Sequence, residues 1–171
     1  MSKIYTIGYE GSSIDNLIAT LTAVGVECLA DVRELPLSRK KGLSKNSLAE
    51  RLSASNIEYR HFRQLGDPKA GRLAARAKDY SKFEAIYLAH LSSPAGQQSL
   101  AELLKVAEIK VTCMLCFERC AHVCHRSYIA DQAAMYGFDV FNLVADRPDE
   151  YLSNEAKIPR YNPRKSFTAA E

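Results

Sequence analysis

Short, almost wholly apolar runs alternate with segments of helical periodicity along most of this chain, and that alternation restricts the folds open to it. Residues 3–9 (KIYTIGY) read as a first strand, closed by Gly8 and Gly11. Ser12 and Ser13 can cap a helix that carries Ile14, Leu17, Ile18, Leu21 and Val24 at helical spacing and stops at Gly25. Residues 26–32 (VECLADV) stay nearly all apolar up to Asp31, as a strand buried on both faces does. An irregular basic loop with Pro36 and Gly42 spans 33–45, and Ser44 caps a short helix to about Ala54. Residues 57–62 (IEYRHF) are a third strand, and 64–71 form another loop with Gly, Asp and Pro. A helical stretch from about Ser81 to Glu108, broken near 94–96, leads to a fourth strand over 110–117 (KVTCMLCF). A helix over 127–136 ends at Gly137, and 138–144 is the fifth strand.

Strand–helix alternation predicts an α/β fold: a single Rossmann-like domain with a mostly parallel five-stranded sheet and helices on both faces. It covers residues 1–146. The polar, proline-bearing tail 147–171 is expected to pack on the surface or be partly disordered. No apolar run is long enough to span a membrane, and Met1–Tyr5 lack a signal-peptide layout, so a cytoplasmic location without membrane contact is expected.

In parallel sheets ligands bind beyond the C-terminal strand ends. The ionisable residues gather there: Tyr9 and Glu10 after strand one, Asp31 and Arg33 after strand two, His61 and Arg63 after strand three, Cys116 and Glu118 after strand four. Asp31 ends a buried strand and needs a partner, which Arg33 or an Arg from the loop after strand four could supply; the same carboxylate could instead serve as a base. Arg33 and Arg39, with Ser38 between them, suit an anion. Gly8 and Gly11 let the backbone approach a ligand, and Glu10 is a candidate acid or base. No GxGxxG or Walker pattern occurs, so no nicotinamide or flavin motif is present.

The densest feature is Cys116-Phe-Glu-Arg-Cys-Ala-His-Val-Cys-His-Arg126. Four of the five cysteines lie within it or just before it, and the odd total argues against a disulfide framework. Three chemistries compete. Cys120, five intervening residues, Arg126 and Ser127 have the spacing of a tyrosine-phosphatase loop, but the stretch has no glycine to fold around a phosphate. Cys116, Cys124 and His125 are candidate metal ligands, with zinc or iron the candidate metals. Strand alternation puts Cys113 on the face opposite Cys116, so Cys113, like Cys28, reads as core. In the third reading Cys124 and His125 orient a ligand while Arg126 pairs with its anion.

Between Arg33 and Lys78 stand twelve Lys/Arg against four Asp/Glu, which leaves the rest of the chain net negative. Such a stretch suits an anion-binding face. Interleaved basic and aromatic residues at Tyr59-Arg-His61-Phe-Arg63 suit single-stranded nucleic acid, and equally a half-buried strand.

Together Thr6-Ile-Gly-Tyr-Glu-Gly11, Asp31-Val-Arg33 with Pro36 and Ser38-Arg39, Gly42-Leu-Ser-Lys45, His61 with Leu65-Gly66, Leu115-Cys116 with Glu118, and Cys124-His125-Arg126 resemble the domain of unknown function 488 family. The resemblance runs from Tyr5 to about Val144. It implies a compact Rossmann-like domain with one shared polar site and brings no activity with it. Cys120 is outside its pattern. A fainter analogy joins Asp-x-Arg and a later strand-end cysteine to rhodanese domains. The expectation is a small enzyme acting on a phosphate-bearing nucleotide or nucleic acid. Cys116, Glu118, Cys124, His125, Asp31 and Glu10 would do chemistry; Gly8, Tyr9, Arg33, Ser38, Arg39, His61 and Arg126 would bind. The alternatives are a non-catalytic nucleic-acid or nucleotide sensor, and a metal-dependent enzyme with Cys/His ligands.

Overall fold

A computed structural model of the chain describes residues 2–146 and 148–153. Strands β1 (Lys3–Gly8), β2 (Cys28–Asp31), β3 (Glu58–His61), β4 (Thr112–Cys116) and β5 (Asp139–Val144) form one sheet in the order β3-β2-β4-β1-β5. Every adjacent pair is parallel, so the α/β, Rossmann-like architecture holds. The helices are α1 (Ile14–Ala23), α2 (Lys45–Ala54), α3 (Lys69–Arg76), α4 (Tyr80–Leu91), α5 (Pro94–Ile109), α6 (Arg126–Met135) and α7 (Pro148–Ser153).

Period-two alternation divides the core. Tyr5, Ile7, Leu29, Cys113, Leu115 and Leu143 meet α1, α2 and Tyr151 of α7 on one face. Ile4, Ala30, Met114, Cys116 and Val140 meet α3 to α6 on the other. Cys113 and Cys116 therefore do sit on opposite faces of β4, and Cys113 and Cys28 are wholly buried. The sheet holds both layers by apolar burial, worth about 25 cal/mol per Å² removed from water.

Local chemistry explains the boundaries. Ser13 caps α1 by accepting from the Asn16 N–H, and the chain leaves that helix through Gly25 at φ +71°. Ser93 caps α5, with Pro94 in its first turn, so the helical stretch expected over 81–108 breaks at 92–93.

Three expectations change. The loop expected over 64–71 contains a 3-10 turn, Arg63–Leu65, and the start of α3, which Ala74 and Gly71 press into the core. Ser44 precedes α2 without a side-chain cap; its Oγ instead accepts from the Ser38 N–H and donates to the Ser38 carbonyl, which holds the 38–44 loop closed. The segment after 146 begins as α7, whose Tyr151 is buried and whose hydroxyl accepts from the Val144 N–H at 2.8 Å. Position 147 and residues 154–171 of the expected tail lie outside the described residues. Among the described residues no helix is long and apolar enough to cross a membrane.

Candidate active site

Register brings the strand ends together. Gly8 pairs with both Cys116 and Val144, and Asp31 pairs with Leu115 and His61, so the loops leaving β1, β2 and β4 emerge side by side. Gly8 has no room for a side chain: a Cβ there would lie 1.8 Å from the Glu118 carbonyl oxygen. Its role is to let the 117–125 loop close over β1, rather than to let backbone approach a ligand.

That loop builds a cluster. His125, at the start of α6, donates from Nε2 to the Val32 carbonyl at 2.7 Å, since a carbonyl can only accept. Nδ1 is thereby turned toward two sulfurs, 3.6 Å from Cys116 Sγ and 3.7 Å from Cys124 Sγ. The Cys116 thiol also donates to Glu118 Oε2 at 3.1 Å. Burial alone would push the Cys124 thiol up, but the Cys116 thiol and the charges of His125 and Arg126 hold it well below its usual value. Cys116 goes the other way, raised by burial and by the hydrogen bond and charge of Cys124. Burial opposes charge on His125, yet the Cys124 thiolate and the Val32 carbonyl lift it to about 9. Glu118 rises to about 7, through burial first and the nearby Cys124 charge second.

Behind β2 lies a second network. Asp31, 0% exposed, accepts from the Arg33 backbone N–H, from Arg33 Nε and Nη2, and from the Tyr59 hydroxyl. Arg33 reaches further, to the Leu43 carbonyl and the Tyr9 hydroxyl, and lies over the Tyr9 ring. Arg33 is thus the partner that Asp31 required. The carboxylate is enclosed and does not line the pocket described below, so its place is in a structural ion pair rather than as a base.

Several expected site residues are directed elsewhere. Arg126 is 1% exposed, and its guanidinium donates to the Glu118 and Arg119 carbonyls and to Thr6 Oγ1. It braces the loop and does not face the pocket as an anion holder. Glu10 is exposed and accepts from the Arg119 N–H, closing the same loop from outside. His61 bonds the Arg33 carbonyl and lines a separate cleft with Arg60, Arg63 and Glu102. Cys120 is exposed and Arg126 is committed to carbonyls, so the pair does not form a phosphate loop.

A cavity of about 980 Å³ opens beside the cluster and is of a size for a nucleotide-like ligand. Cys116, Glu118 and His125 line one wall; Cys124 sits behind them. Tyr9, Arg33, Ser38, Arg39 and Lys40 line the cavity too, and α3 adds Arg72 and Arg76. Arg72 is paired with Glu34. Arg39, Lys40 and Arg76 enter no ion pair among the described residues and give the mouth a positive charge.

Asp67 was not singled out by sequence, yet it lines this cavity at 8% exposure. Burial raises its carboxyl to about 6, and its Oδ1 is buried without a hydrogen-bond partner among the described residues. Its available signal was an acid set between Gly66 and Gly71 in a basic stretch. Those glycines are sites of close packing: a Cβ on Gly71 would meet Asp67 Oδ1 at 2.0 Å, and one on Gly66 would meet the Glu34 backbone N at 2.1 Å. Arg72 and Arg76 fall between the loop expected over 64–71 and the helix expected from Ser81, where the sequence assigns no element.

Chemically, two sulfurs, an imidazole and a carboxyl can exchange protons here, next to an anion-attracting mouth. Cys116, Cys124 and His125 also present three metal-ligand atoms, all within 4.8 Å of one another. A family model described as "Domain of unknown function DUF488" matches residues 13–133, more than half of the chain. No curated protein and no solved structure matches it.

Proposed function

The chain belongs to the DUF488 family, and from that premise we propose that it is a small enzyme acting on a phosphate-bearing substrate, a nucleotide or a nucleic acid, at the C-terminal ends of its strands. One observation carries the reading: Cys116, Glu118 and His125 line the same cavity as the cationic Arg39, Lys40 and Arg76. The cations would hold the phosphate, and the wall would supply the reacting group and the proton.

Direct binding and turnover against a panel of nucleotides and short single-stranded oligonucleotides test this. Arg39→Ala and Arg76→Ala should each weaken binding and flatten its salt dependence, by a slope of about 1 per lost phosphate contact. Cys116→Ala and His125→Ala should abolish turnover while binding persists. Binding by the native chain without turnover of any panel member would favour a non-catalytic sensor. Salt-independent or absent binding would overturn the phosphate reading altogether.

A further inference from the structure

The two sulfurs and the imidazole of the cluster have the spacing of a coordination sphere. We propose that Cys116 Sγ, Cys124 Sγ and His125 Nδ1 bind one divalent thiophilic metal ion of the zinc class, leaving its fourth position open on the cavity side beside Glu118. The proposal rests on the reading of this wall as the working centre and specifies what assembles it.

Distances carry the argument. With Zn–S of about 2.3 Å and Zn–N of about 2.0 Å, the sulfur–nitrogen edge of a tetrahedron is about 3.5 Å. The two edges here are 3.6 and 3.7 Å. The two sulfurs fall within 4.8 Å of each other, and the ideal sulfur–sulfur edge is about 3.8 Å. Glu118 Oε2 stands 3.1 Å from Cys116 Sγ, so a carboxylate oxygen is already at the cluster.

The surroundings fit the same assignment. A ligating histidine commonly donates its other ring N–H to a carbonyl or carboxylate, which fixes the ring. His125 does this through Nε2 to Val32, leaving Nδ1 free to ligate. Two sulfurs and an imidazole suit zinc or a similar borderline ion rather than magnesium or calcium. Two adjacent buried thiols and two nearby carboxyls, one of them Asp67 with an orphaned buried oxygen, gather acidic groups that a bound cation would hold ionised. The one fully buried arginine beside them, Arg126, is spent on loop carbonyls. Cys116 and His125 face the cavity whereas Cys124 lies behind them, so a bound ion would present one side to a ligand. That is the layout of a catalytic rather than a closed structural site.

The test is made on the purified full chain, stripped with a chelator and titrated with Co²⁺ and Zn²⁺. One ion per chain is expected, with a thiolate-to-Co²⁺ charge-transfer band that Zn²⁺ displaces. Cys116→Ser, Cys124→Ser and His125→Ala should each lose the band, and Cys113→Ser and Cys120→Ser should keep it. X-ray absorption on the Zn²⁺-loaded native chain needs no variant and should show a mixed shell with two sulfurs. A shell without sulfur, or a band that survives Cys116→Ser and Cys124→Ser together, overturns the proposal. Turnover that persists in the stripped chain yet vanishes in Cys116→Ala also overturns it while leaving the enzyme reading intact. Stoichiometric, cluster-dependent metal binding with no turnover of any phosphate ligand supports the metal site and removes the enzyme reading instead.

Discussion

His125 Nε2 donates to the Val32 carbonyl across 2.7 Å, joining the last residue of the 117–125 loop to the residue between Asp31 and Arg33. The bond fixes which ring nitrogen faces the sulfurs. His125→Ala leaves that buried carbonyl without its donor, and about 1–3 kcal/mol of stability should go with it. Urea unfolding of the metal-free chain measures this. A change under 0.5 kcal/mol would mean that the Val32 carbonyl finds another partner.

The Asp31–Arg33 pair should behave as a buried ion pair. Asp31→Asn keeps the shape but leaves the guanidinium buried without its counter-charge, and the cost should be about 3–5 kcal/mol. A guanidinium does not deprotonate in proteins, so Arg33 cannot escape the loss by neutralising. Adding Arg33→Met to Asp31→Asn should recover part of the loss in thermal unfolding. An equal loss in the double variant would show that Arg33's contacts with Leu43 and Tyr9 matter more than the pair.

Gly8→Ala should be far more damaging than Gly137→Ala. At Gly8 the new methyl lands on the Glu118 carbonyl, a backbone atom. Forcing it in should cost about 3 kcal/mol or more, at the top of the range for overpacking. At Gly137 the space is open and only the φ of +89° is strained, a cost of about 1 kcal/mol. Denaturant midpoints of the two variants give the comparison, and equal midpoints would refute the close approach.

Asp67 gives a pH signature. Its folded carboxyl titrates near 6, raised mainly by burial from an ordinary value of 3.8. A raised carboxyl means that the folded state binds the extra proton between those two values, so stability falls as pH rises from about 4 to about 6. The full effect is up to about 3 kcal/mol, at 1.36 kcal/mol per pKa unit. Asp67→Asn should remove this segment of the metal-free chain's stability–pH curve. A curve of unchanged slope would show that the carboxyl is not held in this environment.

Much of the candidate site's location is legible in the sequence. Apolar strands that end in ionisable residues pointed to one edge of the sheet, and Cys116, Glu118 and His125 do meet there. Alternation alone separated Cys113 from Cys116, because successive residues of a strand must face opposite ways. Helix α3 escaped because residues 69–76 carry no cap residue and a glycine, and only packing of Ala74 and Gly71 shows why they are helical. With α3 went Arg72, Arg76 and the burial of Asp67.

The sequence by itself determined the layer architecture, the faces of β4 and the edge at which polar groups collect, since these follow from residue periodicity and from where apolar runs stop. Tertiary structure decided what each polar group does. Arg126 and Asp31 sit where a ligand-binding residue would, yet each is buried, and a buried charge must be satisfied by the nearest fixed partners. For Arg126 those are the carbonyls of its own loop, and for Asp31 the guanidinium of Arg33. The sulfurs of Cys116 and Cys124 meet Nδ1 only because Val32, far away in the chain, takes Nε2. Such choices depend on which distant groups the parallel register brings within hydrogen-bond reach.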